Sequence, residues 1–201
     1  MTGAERREQL IGVARALFAE KGYSAASIEE IAVRANVSKP VVYEHFGGKD
    51  GLYSVIIERE VGDLIERIAE ALQAPHPREA VEQAAEAFLR YIEEERDGFR
   101  VLVRDAPVIG GTGSLSAVIA GIAAQVEGLL AREFGARGYD RKIAPVMARA
   151  LVGMVALTGE WWLDVGKPSR KVVAAHLVNL AWNGLKDLDR DSMHRVKRST
   201  S

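Results

Sequence analysis

Ser38-Lys39-Pro40-Val41-Val42-Tyr43-Glu44-His45-Phe46, followed by Gly47-Gly48-Lys49, is the stretch whose reading decides the fold. Its pattern predicts a short helix that works on two sides. Val42 and Phe46 are four residues apart and face inward, while Val41, Glu44 and His45 fall on another side. Ser38 stands at the N-cap, and Pro40 sits in the first turn, where a missing N–H costs little. Gly47 and Gly48 stop the helix and Lys49 opens the next one. A helix this short does not hold in water by itself, so it must be packed on its neighbours.

Those neighbours lie immediately upstream. Leu10, Val13, Ala14, Leu17 and Phe18 keep the spacing of an amphipathic helix, and Gly22 is placed to end it. Ser27-Ile28-Glu29-Glu30 has the form of a capping box that starts a second, brief helix with Ile28, Ile31 and Ala32 inward. Asn36 suits the left-handed conformation of a tight turn. Two short helices joined by such a turn make a helix-turn-helix, and the small side chain of Ala32 lets them cross closely.

Residues 10–53, ending in Val37-Ser38-Lys39-Pro40-Val41-Val42-Tyr43-Glu44-His45-Phe46 and Lys49-Asp50-Gly51-Leu52-Tyr53, resemble the DNA-binding domain of the TetR family of regulators. The resemblance covers about the first quarter of the chain. The rest is similar to the family only in length and helical character. In the family the tyrosine, the following histidine and the lysine opening the next helix anchor phosphates, and Tyr43, His45 and Lys49 match those positions.

The chemistry of the recognition helix gives the remaining assignments. Val41 suits a thymine methyl, Lys39 can donate to guanine O6/N7 or to phosphate, and Glu44 can accept from cytosine N4. Pro40 offers an apolar surface near a base edge. Ser27, Ser38, Tyr43, His45 and Lys49 read as phosphate contacts that set register rather than sequence. Glu29 is either a base contact or a charge that stabilises the start of its helix.

Composition bounds the alternatives. The 201 residues are 48% hydrophobic and 27% charged, with a net charge of −1. Such a chain does not coat nucleic acid nonspecifically, yet a local reading surface needs only a few donors. With no cysteine, disulfides and thiolate metal sites are excluded, and a cytoplasmic location is expected. No apolar run is expected to span a membrane, and the charged start of the chain does not read as a secretory signal. His45, His76, His176 and His194 lack partners at ligand spacing, no nucleophile motif is present, and Glu160 with Asp164 reads as a solvated face. No metal, cofactor or catalytic site is expected, and the chain does not read as an enzyme.

Beyond Lys49 the sequence is expected to be all-α. Helices are expected over about 50–72, 78–95, 99–106, 115–134, 141–165 and 169–188. Asp97-Gly98 and Gly135 to Gly138 are expected as interruptions. Gly110-Gly111-Thr112-Gly113-Ser114 reads as an interhelical loop, since no strand or lysine of a phosphate loop accompanies it. The domains expected are a three-helix helix-turn-helix domain over 1–50, a larger helical effector-binding and dimerisation domain over 51–190, and a polar tail over 191–201. On the last two long helices, Met147, Ala150, Leu151, Met154, Val155, Thr158, Trp161 and Trp162, then Val172, Val173, Leu177, Leu180, Ala181, Trp182 and Leu185, are expected inward. These helices should pair with their symmetry mates in a homodimer, through Ala150, Gly153, Thr158, Gly159, Trp162, Leu177, Leu180 and Trp182. Trp161 and Trp162 cannot point the same way. An apolar effector is expected against Phe88, Ile92, Leu102, Gln125, Met154 and Trp161. By resemblance the function is repression at a palindromic double-stranded DNA operator, relieved by a small molecule. An effector-independent regulator, or a small-molecule-binding protein with a structural helix-turn-helix, stands as the alternative.

Overall fold

The computed structural model describes residues 1–104 and 115–186. The expected loop around Gly110–Ser114 and the polar tail lie outside the described residues. Every element among the described residues is helical: α1 Gly3–Lys21, α2 Ile28–Arg34, α3 Lys39–Phe46, α4 Lys49–Ala71, α5 Pro77–Glu94, α6 Arg96–Arg104, α7 Leu115–Ala136, a 3-10 turn at Arg141–Ile143, α8 Ala144–Val165 and α9 Arg170–Lys186. The all-α expectation holds.

The chain divides into two compact units, Met1–Glu66 with Tyr91–Val118, and Arg67–Arg90 with Ile119–Ser201. The unit that holds the helix-turn-helix therefore reaches past residue 50 and takes in α6. Its core is built from Leu10, Leu17, Phe18, Ile31, Val42, Leu52 and Ile56, none of which has exposed surface. Phe18, Tyr23 and Tyr53 cluster edge to face beside it. α1 begins at a capping box in which Thr2 Oγ1 accepts from Glu5 N and Glu5 Oε2 accepts from Thr2 N. It ends at Gly22, whose φ of 82° few other residues adopt.

The second unit packs the apolar faces of α7, α8 and α9 with the start of α5. Here the structure corrects several expectations. On α8 the buried residues are Ala144, Ala148, Ala156, Gly159, Trp162 and Leu163, whereas Met147, Ala150, Leu151, Met154, Val155, Thr158 and Trp161 are half-buried or exposed. On α9 Val173, Ala174, Leu177, Val178 and Ala181 are buried, while Val172 and Leu180 are exposed. Both helices are apolar on two faces, so periodicity alone does not say which face turns inward. For the same reason Arg141–Val165 is long and apolar enough to cross a bilayer by composition, contrary to expectation, with 22% of its most apolar window buried. Asp97 and Gly98 do not interrupt a helix but form the first turn of α6, and α7 runs through Gly135 to Ala136.

Candidate nucleic-acid interface

α2 starts at Ser27, whose hydroxyl accepts from Glu30 N at 3.1 Å. The expected reciprocal half of the box is replaced, because Glu30 Oε1 is held by Lys21 at 2.7 Å and by Arg34 at 3.1 Å. The turn to α3 passes through Asn36 at φ 53°, and Val37 N donates to Ala32 O at 2.9 Å. Ala32, nearly fully buried, sits where the two helices cross. α3 closes at Gly47, in the left-handed region at φ 71°, with its N–H on Tyr43 O at 2.7 Å.

Within α3 only Val42 is buried. Phe46, expected inward, is half-buried beneath the Arg7 guanidinium, 4.9 Å from its ring centroid. Ser38, Lys39, Pro40, Tyr43 and Glu44 are exposed, Val41 and His45 half-exposed. The surface thus presents an apolar edge (Pro40, Val41), a phenol, an imidazole, a carboxylate and an ammonium on two turns of helix. The Ser38 side chain makes no capping hydrogen bond.

Two charged residues have partners that the sequence did not disclose. Lys39 Nζ donates to Glu29 Oε2 at 2.9 Å, which holds the Glu29 carboxyl below the usual carboxylate range. Glu29 therefore meets the recognition surface as half of an ion pair rather than as a bare anion. Lys49 Nζ donates to Tyr23 O at 2.8 Å and Ala26 O at 2.9 Å, and lies 4.3 Å from the Tyr23 ring centroid. It ties the α1–α2 turn to the start of α4, with one of its three N–H donors left over. Tyr23 donates in turn to Asp50, and that bond, with burial adding to it, pushes the phenol up to about 12.

The residues expected to line an effector pocket fall in both units. Ile92 and Leu102 are wholly buried in the first unit, and Phe88, Gln125, Met154 and Trp161 belong to the second, where Gln125 and Trp161 are exposed. The two tryptophans point different ways, as expected of neighbours on one helix. Trp162 is buried with its indole N–H on Pro168 O at 2.7 Å, and Trp161 is 52% exposed. Of the expected interface residues, Ala150 and Leu180 are exposed, Gly153, Thr158 and Trp182 half-exposed, and Trp162, Leu177 and Gly159 buried within the unit.

Known proteins share this architecture. A family described as "Bacterial regulatory proteins, tetR family" matches residues 10–56, and one described as "Tetracyclin repressor-like, C-terminal domain" matches residues 77–184. The HTH-type transcriptional activator FasR of Mycolicibacterium smegmatis is 34% identical over 185 residues, which is 90% of this chain and 83% of that protein. The HTH-type transcriptional repressor BdcR of Escherichia coli is 35% identical over 86 residues, 42% of this chain and 44% of its own. A TetR-like transcriptional regulator from Rhodococcus sp. RHA1 superposes with a TM-score of 0.74 at 26% identity, covering 94% of this chain and all of that one. The matches span both the reading head and the helical body, and the chain belongs to the TetR family of helix-turn-helix, DNA-binding transcriptional regulators.

Proposed function

We propose that this chain is a homodimeric repressor that binds a palindromic operator and is released by a small, largely apolar effector. The observation that carries the DNA part is α3 itself: one buried side chain, Val42, anchors a helix whose other side chains face outward or sit at its edge. Lys39, Pro40, Val41 and Glu44 then read base edges, while Ser27, Ser38, Tyr43 and His45 hold phosphates. Lys49 supports the head from behind and offers phosphate its one remaining donor.

Dimerisation is supported by a stripe on α8. Val146, Ala150, Gly153, Leu157 and Trp161 recur at spacings of four, three, four and four, and Val146, Leu157 and Trp161 are 64%, 69% and 52% exposed. Nothing lies within 4 Å of a Cβ built on Gly153, which leaves room for a partner helix. Leu180 on α9 is 65% exposed. Contiguous apolar surface of this kind marks an interface, and Trp161 takes the role expected of Trp162. A two-fold dimer then sets the two α3 helices about 34 to 36 Å apart for one face of B-DNA.

For the effector, the second unit has a crevice of about 40 Å³ lined by Val81, Leu129, Leu130, Phe134, Tyr139 and Trp182, among others. Ligand pockets are roughly 300 Å³ or more, so binding in this apolar crevice requires it to open, and the ligand acts by preferring the open state. A shallower, more polar groove of about 510 Å³ in the same unit is lined by Arg78, Glu82 and Glu86 of α5 and Ala174, Val178 and Asn179 of α9. Activation is the second reading, favoured by FasR, a relative that is a transcriptional activator. The experiment selects bound fragments from genomic DNA with the purified protein beside a Lys39→Ala/Tyr43→Ala variant. A palindrome recovered by the wild type alone supports the reading. An operator that overlaps a promoter favours repression, and one upstream of it favours activation. Failure of both proteins to enrich any fragment at moderate salt overturns the DNA-reading proposal.

A further inference from the structure

Four side chains meet inside the first unit where the body helices reach α1. The Arg15 guanidinium of α1 lies between two carboxylates. Its Nε is 3.0 Å from Glu60 Oε1 of α4, without the alignment of a hydrogen bond, and its Nη2 donates to Glu95 Oε2 at 2.5 Å. Glu95 is the one residue between α5 and α6. The Tyr91 hydroxyl of α5, fully buried, donates to Glu60 Oε2 at 2.6 Å. Glu60 is itself only 8% exposed. Gly98, in the first turn of α6, makes this arrangement possible: a Cβ there would stand 1.8 Å from Glu60 Oε2 and 3.0 Å from Arg15 Nη2. At its other end α6 is fastened to α1 again. Arg104 Nη1 donates to Glu20 O at 3.0 Å and Ala19 O at 3.4 Å, carbonyls of the last α1 turn that have no partner within the helix.

This cluster is an expensive way to add stability. Apolar residues of similar volume often do as well or better at buried ion-pair sites, and here Glu60 and Tyr91 are buried while Arg15 and Glu95 keep 25% and 31% of their side-chain surface exposed. Burial pushes the Glu60 carboxyl above its usual range, opposed by the Tyr91 hydroxyl and Arg15 and reinforced by Glu95 and Asp63. The folded state thus holds that proton more tightly than the unfolded chain does. Stability is lost as pH rises from the ordinary carboxylate range through the raised value, so ionising Glu60 is a cost to the fold. What charges supply and apolar contacts do not is direction. α6 packs along α1; apolar contacts are non-directional, whereas a polar fastening at each end of α6 favours one register.

We propose that Arg15, Glu60, Tyr91, Glu95, Gly98 and Arg104 are positioning residues for DNA reading, which lock the register of α1 on α6. α2 packs on α1 and α3 on α2, so the register of α1 sets the pose of the recognition helix. The inference rests on the DNA-reading function proposed above.

The test uses the full chain and the operator selected from genomic DNA, together with operators carrying one base pair more or less between the half-sites. Two variants are compared with wild type: the charge-free Arg15→Met/Glu60→Leu/Tyr91→Phe/Glu95→Leu, and Gly98→Ala, which pushes the Glu60 carboxylate aside without removing any charge. In each, the ratio of affinities for native and altered spacing is expected to shrink by about tenfold, equivalent to about 1.4 kcal/mol. The charge-free variant is expected to melt no lower than wild type. Unchanged spacing discrimination in folded variants overturns the proposal, as does a loss that only tracks the fraction unfolded at the assay temperature. Should the charge-free variant not fold, Gly98→Ala decides by the same two criteria. A wild type that selects no operator refutes the DNA-reading function, and this inference with it. A wild type that selects one while the variants discriminate equally refutes the positioning role alone.

Discussion

Tyr43 is 53% exposed in the middle of α3, and the proposed function has its hydroxyl meet a phosphate rather than a base. Tyr43→Ala is expected to weaken binding to all sequences alike and to lower the salt slope by about one unit, read from affinities over a salt series. A slope that stays unchanged removes the phosphate role. Lys49 does different work, since two of its donors close the α1–α2 turn. With each hydrogen bond contributing about 1 kcal/mol, Lys49→Met is expected to lower stability by about 2 kcal/mol in urea unfolding. A loss of DNA affinity without a loss of stability would show instead that Lys49 serves the phosphate only. Four surface carboxylates of the head are shifted in the same direction. Hydrogen bonds from Arg59, Arg34, Lys39 and Lys21 hold Glu8, Glu20, Glu29 and Glu30 below the usual range. A depressed acid gives stability that is present above its unfolded value and lost as pH falls through its folded one. The melting temperature is therefore expected to fall below about pH 4.5, and to fall less at high salt, because these exposed pairs are screened. An acid loss of equal size at both salt concentrations would assign it to other groups.

The elements that pack the reading head end on residues that announce themselves. Gly22 and Gly47 at positive φ, and Asn36 at φ 53°, occupy conformations that few other side chains enter, so their chemistry was legible in the sequence. Gly47→Ala is expected to cost about 1 kcal/mol of unfolding free energy and to loosen the end of α3. Wild-type stability in that variant would mean that α3 closes some other way. Where an element depends on distant partners, the sequence was silent. Glu30 had the spacing of a capping box, but Lys21 and Arg34 take its carboxylate, and no local pattern reveals that competition. Lys49 finds carbonyls 23 and 26 residues upstream. Glu60 left a readable mark, a charge on the stripe of Ile56, Ile57 and Leu64, which signals a buried partner without naming Arg15. α8 was the hardest element, because a helix apolar on both faces gives periodicity no way to tell core from interface.

At the scale of the whole molecule, the second unit leaves an apolar stripe exposed on α8. Leu157→Glu is expected to produce monomers in sedimentation and to reduce operator affinity steeply, while the monomer keeps its helical content, because Leu157 is 69% exposed in the single chain. A dimer that persists would place the interface elsewhere. The helical class and the helix-turn-helix were legible because their signals are local, whereas the two compact units were not, since α6 joins α1 through contacts far apart in sequence. One consequence follows from α3, which entrusts its attachment to a single buried residue, Val42. Lys39, Pro40, Val41 and Glu44 carry little responsibility for folding, so under the proposed base contacts substitutions there change what is recognised while the scaffold persists. A gene copy with such changes can adopt new targets a base pair at a time, and this regulator is in that sense easily retrained.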